Sequence, residues 1–162
     1  MARLLAAALV AAAVLAGAGG GAAAQPLAFS NEVDPDKAYR IDFVGPSLIA
    51  GVALRLERPA NVLVQFTSSA AAETAEGCPC SIRAFLRMDG GALLPVKHIN
   101  LGWPDVAARA GQVRDRHSLD GSLVFPAEAG PHRFELLVQQ VTGKSIDLRV
   151  YHPNLQAIAF PQ

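Results

Sequence analysis

Residues 51–67, Gly51-Val52-Ala53-Leu54-Arg55-Leu56-Glu57-Arg58-Pro59-Ala60-Asn61-Val62-Leu63-Val64-Gln65-Phe66-Thr67, decide the fold of this chain. Val52, Leu54 and Leu56 alternate with Ala53, Arg55 and Glu57. After Arg58-Pro59-Ala60 the alternation resumes, with Val62, Val64 and Phe66 against Leu63, Gln65 and Thr67. A period of two puts one apolar set on one face of an extended chain, whereas a helix needs a period near 3.6. Two half-buried strands are therefore expected here.

The same period recurs downstream. Ile82, Ala84, Leu86 and Met88 alternate with Arg83, Phe85 and Arg87 until Asp89-Gly90-Gly91 stops the run as a turn. Phe134, Leu136 and Val138 alternate with Arg133, Glu135 and Gln139, and Ile146, Leu148 and Val150 with Asp147, Arg149 and Tyr151. Weaker strand candidates lie at 39–44, 92–100, 121–125 and 155–160. Short alternating runs bounded by Gly, Pro and Asp are the mark of antiparallel sheets with one face buried. Eight or nine such strands with little helix predict an all-β fold, a single antiparallel β-sandwich. Two regions interrupt the pattern. Thr67 to Gly77 is small and polar and reads as a mobile loop or one helical turn. Asp105 to His117 reads as a short helix capped by Asp105, weakened by Gly111 in its middle.

The first 24 residues stand apart. Arg3 precedes a charge-free run from Leu4 to Leu15, and a Gly/Ala stretch ends at Ala22-Ala23-Ala24 before Gln25. Charge, short apolar segment and small-residue site are the order of a secretory signal peptide, and the apolar segment is too short for a permanent anchor. We expect a leader at 1–24, one β-sandwich domain at 25–162, and export to the periplasm or cell exterior of a bacterium. No later run is long and apolar enough to span a membrane, so no transmembrane anchor is expected in the mature chain. The whole chain has 14 basic and 14 acidic side chains. Losing Arg3 with the leader shifts the balance by one negative charge, which offers nothing to attract nucleic acid.

Both cysteines fall in Gly77-Cys78-Pro79-Cys80. Export favours a disulfide, yet one residue of separation sits near the limit of the Cα distance a bridge tolerates, and proline restricts the bend. Two adjacent thiolates also suit a soft metal such as Cu(I) or Zn(II), although a closed zinc site needs two further ligands and none lies close in sequence. An intermolecular bridge, a redox pair, or two half-buried thiols complete the readings open for Cys78 and Cys80. The metal is unknown, and no cofactor is expected.

Other chemistry is thinly represented. His117-Ser118-Leu119-Asp120 holds the residue types of a hydrolase triad, but triads are assembled from distant segments around a serine on a sharp turn. A polar turn explains it better. Asp34 and Asp36 flank Pro35, and Asp89 and Asp120 precede glycines, so turn chemistry accounts for all four. His132 begins a strand, where packing or a turn hydrogen bond is expected. Trp103 is a loop aromatic that either covers one end of the core or anchors a partner. Arg83, Phe85 and Arg87 share the outward face of their strand, and an aromatic between two arginines suits a protein interface. Leu137 extends its apolar part.

Phe66-Thr67-Ser68, Phe85-Leu86-Arg87-Met88-Asp89-Gly90, Gly130-Pro131-His132 and the closing Asn154-Leu155-Gln156-Ala157-Ile158 together resemble a widespread set of exported bacterial β-sandwich proteins, mostly of unknown function. The layout is similar to jelly rolls of tumour-necrosis-factor and complement globular-head type, and the match covers roughly 62–160. The resemblance implies a homo-oligomer or a cell-envelope partner and carries over no catalytic residue. Non-enzymatic binding or assembly is the expected function. The alternative is a periplasmic soft-metal or redox protein using Cys78 and Cys80.

Overall fold

The computed structural model describes residues 26–74, 76–101 and 116–161. They form nine strands: β1 (Leu27–Asn31), β2 (Ala38–Ile41), β3 (Ser47–Leu56), β4 (Ala60–Ala72), β5 (Cys80–Met88), β6 (Leu94–Leu101), β7 (His117–Ala127), β8 (Gly130–Thr142) and β9 (Leu148–Pro161). One sheet has the order β1-β9-β4-β7, with β2 on the same edge of β9 as β1, and the other has the order β3-β8-β5-β6. All pairings are antiparallel, and β2–β9, β3–β8, β4–β7 and β5–β6 are nested inside one another. That nesting is the double Greek key of a jelly roll, the layout the resemblance implies. Among the described residues no helix is long and apolar enough to cross a membrane.

The stretch around Pro59 is not a hairpin. β3 lies in the four-stranded sheet and β4 in the five-stranded one, so Glu57–Pro59 carries the chain across the sandwich. Val52, Leu54 and Leu56 then meet Val62, Val64 and Phe66 from opposite sides, and all six are buried in one core. Phe134, Leu136 and Val138 of β8 join them, as do Leu155 and Ala157 of β9. The Phe125 and Phe134 rings are 5.7 Å apart between the two sheets. Truncating a fully buried phenylalanine such as Phe134 would cost about 3–5 kcal/mol through lost transfer energy and the cavity left behind.

Several expectations are corrected. β4 does not end at Thr67 but runs to Ala72, because it is paired on both sides, with β7 as far as Ala70 and with β9 as far as Ala72. Pairing on both edges overrides the weak strand preference of Ser and Ala. The candidates at 146–151 and 155–160 are one strand. It passes through His152, at φ 49°, and Pro153, and the opposing register shifts between Thr67 and Ser69. Ile146 lies outside the strand and is half exposed rather than in the core. β1 has no counterpart among the anticipated strands. The helix expected at 105–117 lies outside the described residues except for its end, where His117 opens β7.

Candidate functional site

Cys78 and Cys80 are joined by a disulfide, with Cα atoms 4.5 Å apart across a cis Cys78–Pro79 bond. Cys80 begins β5 and is buried. The turn is seated on the β8–β9 connection: the Lys144 amide donates to the Gly77 carbonyl (2.9 Å), and the Ser81 and Thr142 hydroxyls meet at 2.7 Å. With both sulfurs bonded to each other, neither is available to a metal. Among the described residues no group of three or more His, Cys, Asp or Glu side chains could hold one.

The triad-like quartet is equally inert. Ser118 donates to Asp120 (2.8 Å) rather than to His117. Alternation along β7 puts His117 on the opposite face from Ser118 and Asp120.

Arg83, Phe85 and Arg87 do share the outer face of the four-stranded sheet, with Ile82, Ala84 and Leu86 buried beneath them. Phe85 is half-buried and stands in register with Leu137 of β8 and Pro95 of β6; Leu48 of β3 continues the row. Leu137 is itself covered, at 5% exposure. Arg87 is committed to Glu135 through Nε and Nη2 (both 2.7 Å), and Arg133 Nε binds the other Glu135 oxygen at 3.0 Å. Burial pushes the Glu135 carboxyl up, but Arg133 and Arg87 together hold it below its ordinary value. On this face an ion-pair network around Glu135 adjoins an apolar row that is covered at Leu137, half-buried at Phe85 and exposed at its ends, Leu48 and Pro95. Trp103 lies outside the described residues.

The outer face of the five-stranded sheet is more open. The registers align Leu27 of β1, Ile158 of β9, Leu63 of β4 and Val124 of β7 in one row across four strands. Directly opposed residues point to the same side of a sheet, so this row is a continuous apolar band. Leu27 and Val124 are 57% and 52% exposed, and Leu63 and Ile158 are half-buried. Toward one end lies Phe160, opposite Asn61 and Pro126. Toward the other end the next row is Phe29, Gln156, Gln65 and Ser122, and the row after it is Asn31, Asn154, Thr67 and Asp120. These two rows surround a shallow concavity of about 320 Å³ lined by Gln65, Thr67, Asp120, Ser122, Asn154 and Gln156, with Phe66 and Gly121. The face therefore grades from apolar to polar along the strands, and Asp120 is the only formal charge in these four rows.

Asp120, read from the sequence as a turn residue, lies within β7; none of the other outward residues was singled out from the sequence as a site candidate, although the signal was present. Leu63, Gln65 and Thr67 are the outward set of a strand read from its inward set, and Asn154, Gln156 and Ile158 are the same in the last strand.

No protein family matches the chain, and no curated protein matches it. Among solved structures, the chain is similar to the "EclA C-terminal domain; sugar-binding protein", at 15% identity and TM-score 0.42 over 74% of this chain and 76% of that one. It is also similar to the Eiger TNF from S. frugiperda, at 11% identity and TM-score 0.45 over 85% of this chain and 94% of that one. A family two carbohydrate esterase from Cellvibrio japonicus gives 10% identity and TM-score 0.31, and the matched region spans 36% of that longer chain. At this level the likeness concerns the β-sandwich alone.

Proposed function

We propose that this chain is an exported, non-enzymatic binding and assembly module, and that a second copy of it docks on the outer face of the five-stranded sheet. The supporting observation is the in-register row Leu27–Ile158–Leu63–Val124, flanked by Phe160 and Phe29. Exposed apolar side chains scattered singly need no explanation, but a contiguous band does. The occupant is argued from charge and area. The band has no formal charge, so two copies meet without like-charge repulsion. Four strands at about 4.8 Å and five residues at about 3.4 Å, the span of the uncharged rows, give roughly 330 Å² per copy in projection. Two such faces remove on the order of 650 Å² from water, below the roughly 1,000 Å² expected of a stable specific interface, so the complex belongs to the weak, reversible class.

Sedimentation velocity of the purified protein across a concentration series tests this. We expect the weight-average sedimentation coefficient to rise, with a Kd on the order of 10–100 µM. The double variant Leu63→Lys/Val124→Lys should stay monomeric over the same range with an unchanged circular dichroism spectrum. A wild type that remains monomeric to about 1 mM, the upper end of measurable affinity here, would refute the assembly reading. The alternative based on Cys78 and Cys80 holding a soft metal loses its ligands to the disulfide.

A further inference from the structure

We infer that the polar concavity at the other end of this face is a binding site for a neutral saccharide, a function that does not rest on self-association. Its polar lining is mostly amide and hydroxyl. Gln65, Asn154 and Gln156 supply three amides, Thr67 and Ser122 two hydroxyls, and Asp120 one carboxylate. Amides and hydroxyls each carry both donor and acceptor capacity. Sugar hydroxyls do as well, whereas an anion needs an excess of donors and a metal an excess of carboxylates or imidazoles.

The amides are pre-set. Gln65 Nε2 donates to Gln156 Oε1 at 3.1 Å, and Gln156 Nε2 donates to Asn154 Oδ1 at 3.3 Å. The chain of bonds links three flexible side chains, and among the described residues its two ends, the Gln65 Oε1 acceptor and the Asn154 Nδ2 donor, have no hydrogen-bond partner. Holding side chains in place before a ligand arrives lowers the entropy cost of binding. Asp120 is already partnered by Ser118 (2.8 Å) and lies 3.6 Å from Lys97 Nζ, so the concavity has little net charge with which to select an ion.

Spacing and shape agree with the chemistry. Cross-strand neighbours stand about 5 Å apart and same-face residues along a strand about 6.8 Å apart, a grid comparable to the hydroxyls of one pyranose ring and its neighbour. The volume of about 320 Å³ is at the small end for ligand sites. Phe29 supplies the apolar half of the recognition. It is 70% exposed and directly opposite Gln156 in the β1–β9 register. An aromatic face beside a row of amides receives the C–H face of a sugar while the amides take its hydroxyls.

The probe is a panel of neutral hexasaccharides (cellohexaose, laminarihexaose, xylohexaose, maltohexaose, mannohexaose), titrated into ¹⁵N-labelled protein while the side-chain NH₂ signals of Gln65, Asn154 and Gln156 are followed. The same titrations are run on Leu63→Lys/Val124→Lys, so that a second copy cannot mask the site and the two readings fail separately. We expect at least one sugar to shift these three signals saturably, with a Kd on the order of 0.1–10 mM, as for a small, open site. Asn154→Ala and Phe29→Ala should each weaken binding about tenfold. The inference is overturned if no sugar of the panel shifts these signals at 10 mM in either protein. Shifts confined to another part of the chain, or an affinity unchanged in both variants, overturn it equally.

Discussion

His132 opens β8 with both ring nitrogens engaged, Nδ1 2.7 Å from Asp89 Oδ2 and Nε2 2.8 Å from the Glu128 carbonyl oxygen. Both partners are acceptors, so the imidazolium, which donates from both nitrogens, is the form that satisfies both contacts. The Asp89 hydrogen bond first, and the Glu128 carbonyl second, raise its pKa above the ordinary 6.5 against the opposing effect of burial. Burial pushes the Asp89 carboxyl up, but the Arg133 amide at 2.6 Å and His132 together hold it below its ordinary value. These bonds tie the β5–β6 turn to the β7–β8 hairpin. Asp89→Asn removes the charge and keeps the shape, since Asn tolerates the φ of 51° found at this turn. A hydrogen bond to a charged group contributes about 1.5–3 kcal/mol. Asp89 is 43% exposed, so solvent screening reduces that to about 1 kcal/mol. A raised folded pKa gives stability that is fully present below about 6.5 and is lost as pH rises through the folded value. Thermal melts of Asp89→Asn should therefore fall below wild type by about 3–5 °C at pH 6, and the gap should narrow by pH 9 to the part owed to the Arg133 amide. A gap that does not change with pH, or an NMR titration placing His132 at or below 6.5, would refute the argument.

Gly143 and Glu135 provide two further tests. Gly143 sits at φ 75°, and a Cβ there would lie 2.5 Å from the Gly77 carbonyl oxygen and 2.7 Å from the Cys80 Cβ. Gly143→Ala should cost about 3 kcal/mol from strain and overpacking, read from urea melts; a loss under 1 kcal/mol would show that the disulfide turn is not seated on this loop. Glu135 is 7% exposed between Arg87 and Arg133, and its lowered carboxyl pKa gives stability at neutral pH that is lost as pH falls through the folded value. Glu135→Gln should lose about 1–2 kcal/mol at pH 7, below the 3–5 of a fully buried pair because the arginines are partly in water, and the loss should shrink by pH 3.5 in the same assay.

The fold was legible because jelly-roll strands bury one face each, and a period of two survives in a single sequence. The features that misled are those in which pairing outweighs composition. Ser68-Ser69-Ala70-Ala71-Ala72 has the residues of a loop and the position of a central strand, and only its neighbours β7 and β9 reveal which prevails. Pro153 lies between the two strand candidates at 146–151 and 155–160, and proline cannot donate to a ladder. β9 tolerates it where β1 and β2 succeed one another along the same edge of the strand, β2 against 148–151 and β1 against 154–158. The disulfide was open for a related reason. Spacing alone left Cys78 and Cys80 at the limit of bridging, and what holds the turn is a contact distant in sequence, Gly77 against Lys144 and Gly143.

The candidate site was harder to read for a reason intrinsic to sheets. A buried face is announced by each strand separately, since Val62-x-Val64-x-Phe66 is apolar whatever lies beside it. An outer face has no such local signature, because Leu63, Gln65 and Thr67 taken alone are ordinary outward residues. Their meaning depends on register. The pairing of Leu63 with Ile158 and Val124, and of Gln65 with Gln156 and Ser122, turns three unremarkable strands into an apolar band beside an amide grid. A slip of two residues would keep every side chain on its face and leave the core pattern intact, yet it would set Leu63 against Gln156 and dissolve both features. The proposed site is therefore a property of the register, and register is fixed by the interlocking of the core and the turns rather than by any motif in the outward residues themselves.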